Sequence, residues 1–273
     1  MSTKKTQIIT LVCNKGGVGR STTAINIAWS LASSKCNVLV CDLDAQANTS
    51  SSLAKNYQQD VVEDGRHVTS LLKSTGDSAI DYIVDTRNPN IKLLASTLML
   101  DSTEGEIKSL LDLNVFKLFD HFFNKKLKSE FDFIIIDTPP QKSSVLTLNA
   151  LLTSGWYWYV LSAEDQWSLD ARIVSEKIME DVRKLNPKIR PLPVLMTKFV
   201  NGSSQSIEMK KIAASEFKAG VFKTTIGYST VISKSHSNRK SIHEFNPGHL
   251  VAKNYDSVAL AINRYISNIK KTK

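Results

Sequence analysis

The sequence is poor in cysteine and has no long apolar run. Its three cysteines, Cys13, Cys36 and Cys41, lie on or beside predicted central strands without paired spacing. We therefore expect small buried side chains in a reducing cytosol, with no disulfide, metal cluster or iron–sulfur centre. No apolar run approaches the roughly 18 residues of a membrane-spanning helix, and residues 1–10 lack a charged-then-apolar leader. We expect a cytoplasmic protein that is neither secreted nor inserted in a membrane.

Apolar strand-like runs alternate with segments of helical period along the chain. This pattern is typical of an α/β fold, a doubly wound and mostly parallel sheet with helices on both faces. Strands are predicted near residues 7–13, 37–43, 91–95, 131–137, 156–162, 191–197 and 221–226. Helices are predicted near residues 20–34, 66–74, 104–125, 169–185, 205–218 and 254–270. The serine-rich stretch 48–53 is interpreted as a loop. With 273 residues, 42% of them hydrophobic, we expect one domain over residues 1–273.

A glycine loop follows the first predicted strand and precedes the first helix. Its residues are Lys15, Gly16, Gly17, Val18, Gly19, Arg20, Ser21 and Thr22. Glycines let backbone N–H groups turn toward an anion, and the following helix directs the positive end of its dipole to the same point. This order of strand, loop and helix predicts a nucleotide-binding P-loop that binds the phosphates of ATP or ADP. Arg20 stands where the general P-loop pattern has lysine, and Ser21 is the expected hydroxyl ligand of Mg²⁺.

Two further strands end on carboxylates. The apolar run 38–41 leads into Asp42 and Asp44, and the run 133–136 ends on Asp137, followed by Thr-Pro-Pro. Fully buried parallel strands have such continuous apolar runs, and their carboxyl ends meet at one edge of the sheet. Asp137 is therefore predicted to be a Walker B carboxylate that binds Mg²⁺ beside Ser21.

These three segments resemble the ParA/MinD family of ATPases with a deviant Walker A box, and most closely the ParA/Soj type. The resemblance covers nearly the whole chain. It implies that Lys15 reaches the partner's phosphates in a homodimer formed around ATP, that Asp44 positions the attacking water, and that Asp42 helps to hold Mg²⁺ through its water shell. Lys15, Asp44 and Arg20 are thus the expected catalytic residues. The sequence departs from the family at Ala45 and Ala47, where proline and glycine are usual.

Basic charge is concentrated in the last third of the chain. Residues 182–273 contain 17 Lys and Arg against four Asp and Glu, whereas the chain as a whole has a net charge of +9. A one-sided basic surface is typical of polyanion binding. The resemblance implies that the polyanion is non-specific double-stranded DNA, bound by the ATP dimer. The candidate residues are Lys210, Lys211, Lys223, Lys234, His236, Arg239 and Lys240, and Lys218 extends the same surface. A solvated basic face without a partner is the alternative.

The resemblance implies a DNA partition ATPase that is stimulated by a ParB-like centromere-binding protein and is associated with the nucleoid. Two alternatives stay open. A MinD-like membrane ATPase would need an amphipathic C-terminal helix, but residues 257–273 look like a core-packed helix, so we expect no stable membrane association. A nucleotide-binding scaffold with impaired hydrolysis is suggested by Arg20, because the arginine fork does not replace the compact charge of lysine.

An aromatic run replaces the usual aliphatic residues of one predicted strand. It consists of Trp156, Tyr157, Trp158 and Tyr159. Core packing between two layers of helices explains it, and a partner-binding surface is the alternative.

Overall fold

A mostly parallel sheet forms the centre of the fold. The structure is a computed structural model that describes residues 5–13, 15–74, 78–109, 118–140, 144–164 and 169–271. Among these residues the strands are β1 (Gln7–Val12), β2 (Val38–Asp42), β3 (Ile83–Asp85), β4 (Ile91–Leu94), β5 (Phe133–Asp137), β6 (Trp156–Ser162), β7 (Arg190–Pro191) and β8 (Leu195–Thr197). Their order is β3-β4-β2-β5-β1-β6-β7, and β8 also pairs with β6. Every one of these pairings is parallel except that of β3 with β4.

Helices connect the strands and cover both faces of the sheet. In the described part of the chain they are α1 (Arg20–Ser33), α2 (Asn48–Leu53), α3 (Val68–Lys73), α4 (Leu100–Ser109), α5 (Leu118–Phe122), α6 (Lys125–Glu130), α7 (Val145–Thr153), α8 (Leu169–Leu185), α9 (Ser204–Glu216), α10 (Thr230–Ser237), α11 (Ile242–Phe245) and α12 (Leu250–Lys271). A π-helical segment, Tyr57–Glu63, and a 3-10 turn, Ala79–Tyr82, lie between them.

Alternate residues of the central strands enter two different apolar clusters. In β5, Phe133 and Ile135 pack in a cluster with α1 and α12, whereas Ile134 and Ile136 pack in a second cluster with α5 and α7. Strand side chains point to opposite faces in turn, so the continuous apolar run of β5 means that both faces are covered. The predicted doubly wound α/β fold is confirmed.

The aromatic strand β6 is part of the core. All of its residues are buried, and its rings meet rings of other elements: Trp158 packs edge-on against Phe222 at 5.9 Å between centroids, and Tyr159 lies 5.0 Å from Phe217. Core packing therefore accounts for this run. The three cysteines, all of which the structure describes, are also buried and form no disulfide.

The C-terminal helix α12 packs its apolar face on α1. Tyr255, Val258 and Ile262 are at most 1% exposed and belong to the cluster that contains Ile27 and Leu31 of α1. The apolar face of α12 is therefore packed in the core, as the sequence predicts.

Several predicted boundaries are wrong for identifiable reasons. The strand predicted at 191–197 is divided into β7 and β8 around Pro191 and Pro193, which have no N–H for a ladder. The strand predicted at 221–226 is a broken pairing: Phe222 N–H donates to the Val194 carbonyl and Ile226 N–H to the Met196 carbonyl, so five residues on one side face three on the other. The helix predicted at 104–125 is interrupted, since α4 ends at Ser109 and α5 begins at Leu118, and residues 110–117 lie outside the described part. The stretch 48–53, predicted to be a loop, is helix α2.

Candidate functional site

The glycine loop joins the carboxyl end of β1 to the beginning of α1. Gly17 and Gly19 have φ values of 75° and 87°, in the left-handed region that glycine adopts without a Cβ clash. Gly19 is the N-cap of α1, and no side chain of the described residues caps it. The first N–H groups of α1 therefore remain available to an anion, and the helix dipole favours negative charge at this point.

A cleft of about 520 Å³ opens over this loop. The loop is fixed from the β8 side, where the Thr197 hydroxyl donates to the Val18 carbonyl at 2.7 Å. The volume is in the range of small-molecule sites. The lining residues include Gly16, Gly17, Val18, Gly19, Arg20, Ser21, Thr22, Asp44, Gln46, Asn48, Pro140, Lys198, His236 and Tyr255. The predicted phosphate loop from Gly16 to Thr22 thus lines one cavity together with Asp44. Lys15 is exposed at the start of the loop.

Arg20 turns its guanidinium toward Asp44, the predicted water-positioning residue, and toward Asp137, a predicted metal ligand. Its Nη1 donates to the Cys13 carbonyl at 2.8 Å, its Nη2 lies 4.0 Å from Asp44 Oδ2, and its Nε lies 3.9 Å from Asp137 Oδ1. The side chain is only 6% exposed. Arg20 is therefore the positive counter-charge of two carboxylates as well as a lining residue of the cleft.

Asp42 and Asp137 face each other across neighbouring strands and are both fully buried. Burial, together with the charge of Asp137, raises the pKa of Asp42 to about 8. Burial also raises the pKa of Asp137, an effect that the charge of Arg20 and the hydroxyls of Ser21 and Thr49 oppose. Two carboxyl groups in a low-dielectric site resist simultaneous ionisation. A cation bound here would therefore strongly favour the ionised form of both groups.

Asp44 stands on the loop after β2, at the edge of the cleft. It is 9% exposed, and its Oδ1 accepts from the Gln46 N–H at 3.0 Å. Ala47 follows with φ 50° and ψ 30°, a left-handed conformation that is rare for residues other than glycine. Ala47 therefore adopts a conformation that favours glycine, at a cost in strain.

Thr49 and Ser50 hold the two buried carboxylates, and the sequence analysis missed both. The Thr49 hydroxyl donates to Asp137 Oδ2 at 2.8 Å. Asp42 Oδ2 accepts from the Ser50 N–H at 2.8 Å and from the Ser50 hydroxyl at 2.7 Å. The available signal was a run of four Ser and Thr residues directly after the acidic loop, since such residues are favoured in the first turn of a helix next to a carboxylate.

The residues present fit a magnesium ion bound with a nucleotide. Asp137 Oδ1 is buried and has no hydrogen-bond partner among the described residues. Ser21 lies beside it on α1, as the P-loop pattern requires. In the described part of the chain no cluster of three or more His, Cys, Asp or Glu could bind a metal by itself. A P-loop site needs no such cluster, because phosphate oxygens and water complete the shell.

Helix α1 also contacts the basic C-terminal third. The Thr22 hydroxyl lies 3.1 Å from His236 Nε2 of α10, and the side-chain oxygen of Asn26 accepts from the Ile242 N–H of α11 at 2.9 Å. His236, a DNA candidate in the sequence analysis, is thus directed at the nucleotide cleft. Its imidazole has a pKa lowered by burial.

The other basic candidates fall into two groups on the surface. Lys234, Arg239 and Lys240 are exposed at the C-terminal end of α10 and just after it. Lys210 on α9 donates to the Lys223 carbonyl at 2.9 Å, with Lys211 and Lys218 exposed nearby in sequence. The first group lies on or next to α10, whose His236 contacts α1, so it is the better candidate for a response to nucleotide.

Comparison with known proteins identifies the family of this chain. A family model described as an AAA domain matches residues 6–190. The chromosome partitioning protein ParA of Myxococcus xanthus is 30% identical over 237 residues, which are 86% of this chain and 80% of that protein. The chain belongs to the ParA family.

A second relative extends the match. The chromosome-partitioning ATPase Soj of Thermus thermophilus is 29% identical over 245 residues, covering 89% of this chain and 90% of that protein. The chain therefore belongs to a family of partition ATPases.

The fold agrees with a solved structure as well. Cobyrinic acid a,c-diamide synthase from Mycobacterium smegmatis, solved with bound ADP and magnesium, superposes with a TM-score of 0.79 at 23% identity and covers 96% of both chains. None of the helices among the described residues is both long and apolar enough to cross a membrane.

Proposed function

We propose that this ParA-family chain is a DNA partition ATPase that is switched by ATP. Two copies enclose two ATP molecules, the dimer binds double-stranded DNA without sequence preference and is nucleoid-associated, and a ParB-like protein on the cargo's centromere site stimulates hydrolysis. The observation that carries the proposal is that the phosphate loop and Asp44 line one cleft, and that Arg20 of this cleft lies 3.9 Å from the buried pair of Asp137 and Asp42. ParA and Soj relatives over most of the chain support it.

In this proposal each residue of the site has its own role. The N–H groups from Gly16 to Ser21 bind the phosphates, the Ser21 hydroxyl and Asp137 hold Mg²⁺, and Asp42 acts through the metal's water shell. When bound, Mg²⁺ supplies positive charge to the phosphate oxygens. Asp44 orients the attacking water from the edge of the cleft. The exposed Lys15 reaches the nucleotide of the second copy.

Sizing and turnover measured together test the proposal. Asp44→Ala should abolish hydrolysis and leave an ATP-dependent dimer, because Asp44 is assigned to the water and not to nucleotide affinity. Lys15→Ala should impair the dimer, whereas Lys253→Ala, an exposed lysine on α12, serves as the matched control. Light scattering with ATP and Mg²⁺ gives the mass, and phosphate release gives the rate. A parent chain that stays monomeric with ATP would contradict the proposal.

A nucleotide-binding scaffold with impaired hydrolysis is the second candidate function. One observation favours it: the Arg20 guanidinium is engaged by Cys13, Asp44 and Asp137. A planar fork held there must reorganise before its charge can reach a γ-phosphate. Phosphate release below the detection limit, with ATP binding intact and with DNA and partner present, would favour the scaffold.

A further inference from the structure

Arg87, in the turn between β3 and β4, links two segments that are far apart in sequence. Its Nε and Nη2 form an ion pair with both carboxylate oxygens of Glu244, at 2.6 Å and 3.3 Å. Its Nη1 donates to the Ala54 carbonyl at 3.0 Å, and its Nη2 donates to the carbonyls of Ser52 and Arg239, the latter at 2.9 Å. One rigid guanidinium therefore fixes the end of α2 relative to residues 239–244.

The first of these segments contacts the buried carboxylates directly. The first turn of helix α2 contains Thr49 and Ser50, which hold Asp137 and Asp42, and the carbonyls that Arg87 binds lie at the C-terminal end of this helix. Its six residues span fewer than two helical turns, and hydrogen bonds hold both ends of this short segment. A displacement at its carboxylate end must therefore break the Arg87 bonds or carry residues 239–244 with it.

The second segment carries the basic side chains. Glu244 also closes a capping box on Ser241, whose N–H donates to Glu244 Oε2 at 2.9 Å, so residues 241–244 form a defined turn. Arg239 has φ 50°, a left-handed conformation in a residue other than glycine. Such strain persists where the surroundings fix it, and Arg87 fixes the Arg239 carbonyl. The strained residue is one of the exposed basic candidates and is followed by another, Lys240.

We propose that Arg87 is a positioning residue that couples the carboxylates of the nucleotide site to the basic segment 234–240. The Thr22–His236 contact joins α10 to the phosphate loop separately, so Arg87 controls the far end of the basic segment. The coupling rests on the proposed function, in which this segment binds DNA phosphates. The connection through Arg87 is shared by the ATP site and the DNA-binding segment. Reciprocal coupling of two sites requires such a shared structural element.

Hydrogen exchange with and without ATP and Mg²⁺ tests the coupling without DNA. In the parent we expect nucleotide to change exchange both at residues 16–22 and at residues 238–245. In Arg87→Gln the change at 16–22 should persist and the change at 238–245 should be lost. For each variant, exchange with ATP and Mg²⁺ is compared with exchange of the same variant without them. A general loss of stability affects both measurements and is removed from their difference. Lys92→Gln is the matched control, because it removes the Lys92–Asp85 ion pair from the same hairpin and should behave as the parent.

DNA affinity supplies the second readout. The ratio of affinities for one duplex with ATP and with ADP should fall about tenfold in Arg87→Gln, with ATP affinity within about threefold of the parent. Arg87→Lys keeps the charge beside Glu244 but lacks the fork, so it should show the same loss even if Arg87→Gln fails to fold. Parent-like exchange at 238–245 in either variant overturns the coupling. A parent that binds no DNA in any nucleotide state contradicts the proposed function instead, and the exchange result then decides on Arg87 alone.

Discussion

Replacing Arg20 by methionine should destabilise the nucleotide-free protein strongly. The change keeps an unbranched, largely apolar side chain but removes the guanidinium, and with it the positive charge beside Asp44 and Asp137. Removing one partner of a buried ion pair costs about 3–5 kcal/mol, because the remaining charge is uncompensated. Asp44 borders the open cleft and can be hydrated, whereas Asp137 is fully buried, so we take the lower end, about 3 kcal/mol.

That loss of stability predicts a measurable fall in the melting temperature. At about 2–4 °C per kcal/mol for a chain of this size, the melting temperature should fall by about 6–12 °C at pH 7. The loss should grow with pH, since without Arg20 the pKa of Asp137 rises further and a proton neutralises the carboxyl at low pH. Millimolar Mg²⁺ should stabilise Arg20→Met more than the parent, because the cation takes over the missing charge.

Urea unfolding followed by circular dichroism measures the effect. Arg20→Lys is the control that keeps the charge and loses the bond to the Cys13 carbonyl, so it should cost only about 1–2 kcal/mol. If Arg20→Met lost less than about 1 kcal/mol and its loss did not vary with pH, Arg20 would not be the counter-charge of this site.

Three further predictions follow from the same site. Ala47→Gly should stabilise the protein by about 0.5–1 kcal/mol, because glycine adopts φ 50° without strain. Ala45→Gly, at a position with an ordinary φ, should destabilise the protein. Thermal melts of the two variants check this. Asp42→Asn should flatten the pH dependence of stability: the folded acid has a pKa of about 8 and the unfolded one about 4, so the parent binds more protons when folded and loses stability from about pH 4 to pH 8. Parallel pH curves for parent and Asp42→Asn, measured by urea unfolding without Mg²⁺, would contradict this. Arg20→Lys should raise ATP hydrolysis with DNA and a ParB-like partner present, because a compact ammonium meets γ-phosphate charge at a shorter reach; phosphate release no faster than the parent's would refute it.

The parts of the site that are contiguous in sequence could be predicted from it. The glycine loop lies between a strand and a helix, and the strands before Asp42 and Asp137 are apolar throughout, so local pattern determines their position at one sheet edge. The roles of individual site residues, including Lys15 and Asp44, stay predictions.

Tertiary contacts explain the elements that sequence reasoning missed. Serine-rich helix α2 has poor intrinsic propensity and is too short to be stable alone. It is held by the carboxylates of Asp42 and Asp137, at the helix end where negative charge is favourable. The Arg87–Glu244 pair joins residues 157 apart and has no local signal.

Binding of one duplex of arbitrary sequence with ATP, with ADP and without nucleotide tests the central claim most directly. Fluorescence anisotropy should show binding only when ATP and Mg²⁺ are present, and not with ADP or without nucleotide. Across several salt concentrations the logarithm of the affinity should fall linearly with the logarithm of the salt concentration. Replacing Lys234, Arg239 and Lys240 together by alanine should weaken binding to all duplexes and reduce the salt slope by about 0.9 for each phosphate interaction that is removed. The charge-matched control replaces Lys55, Lys125 and Lys126, which are exposed outside the basic third, and should bind as the parent does. Equal affinity in all three nucleotide states, or no binding in any of them, would contradict the account.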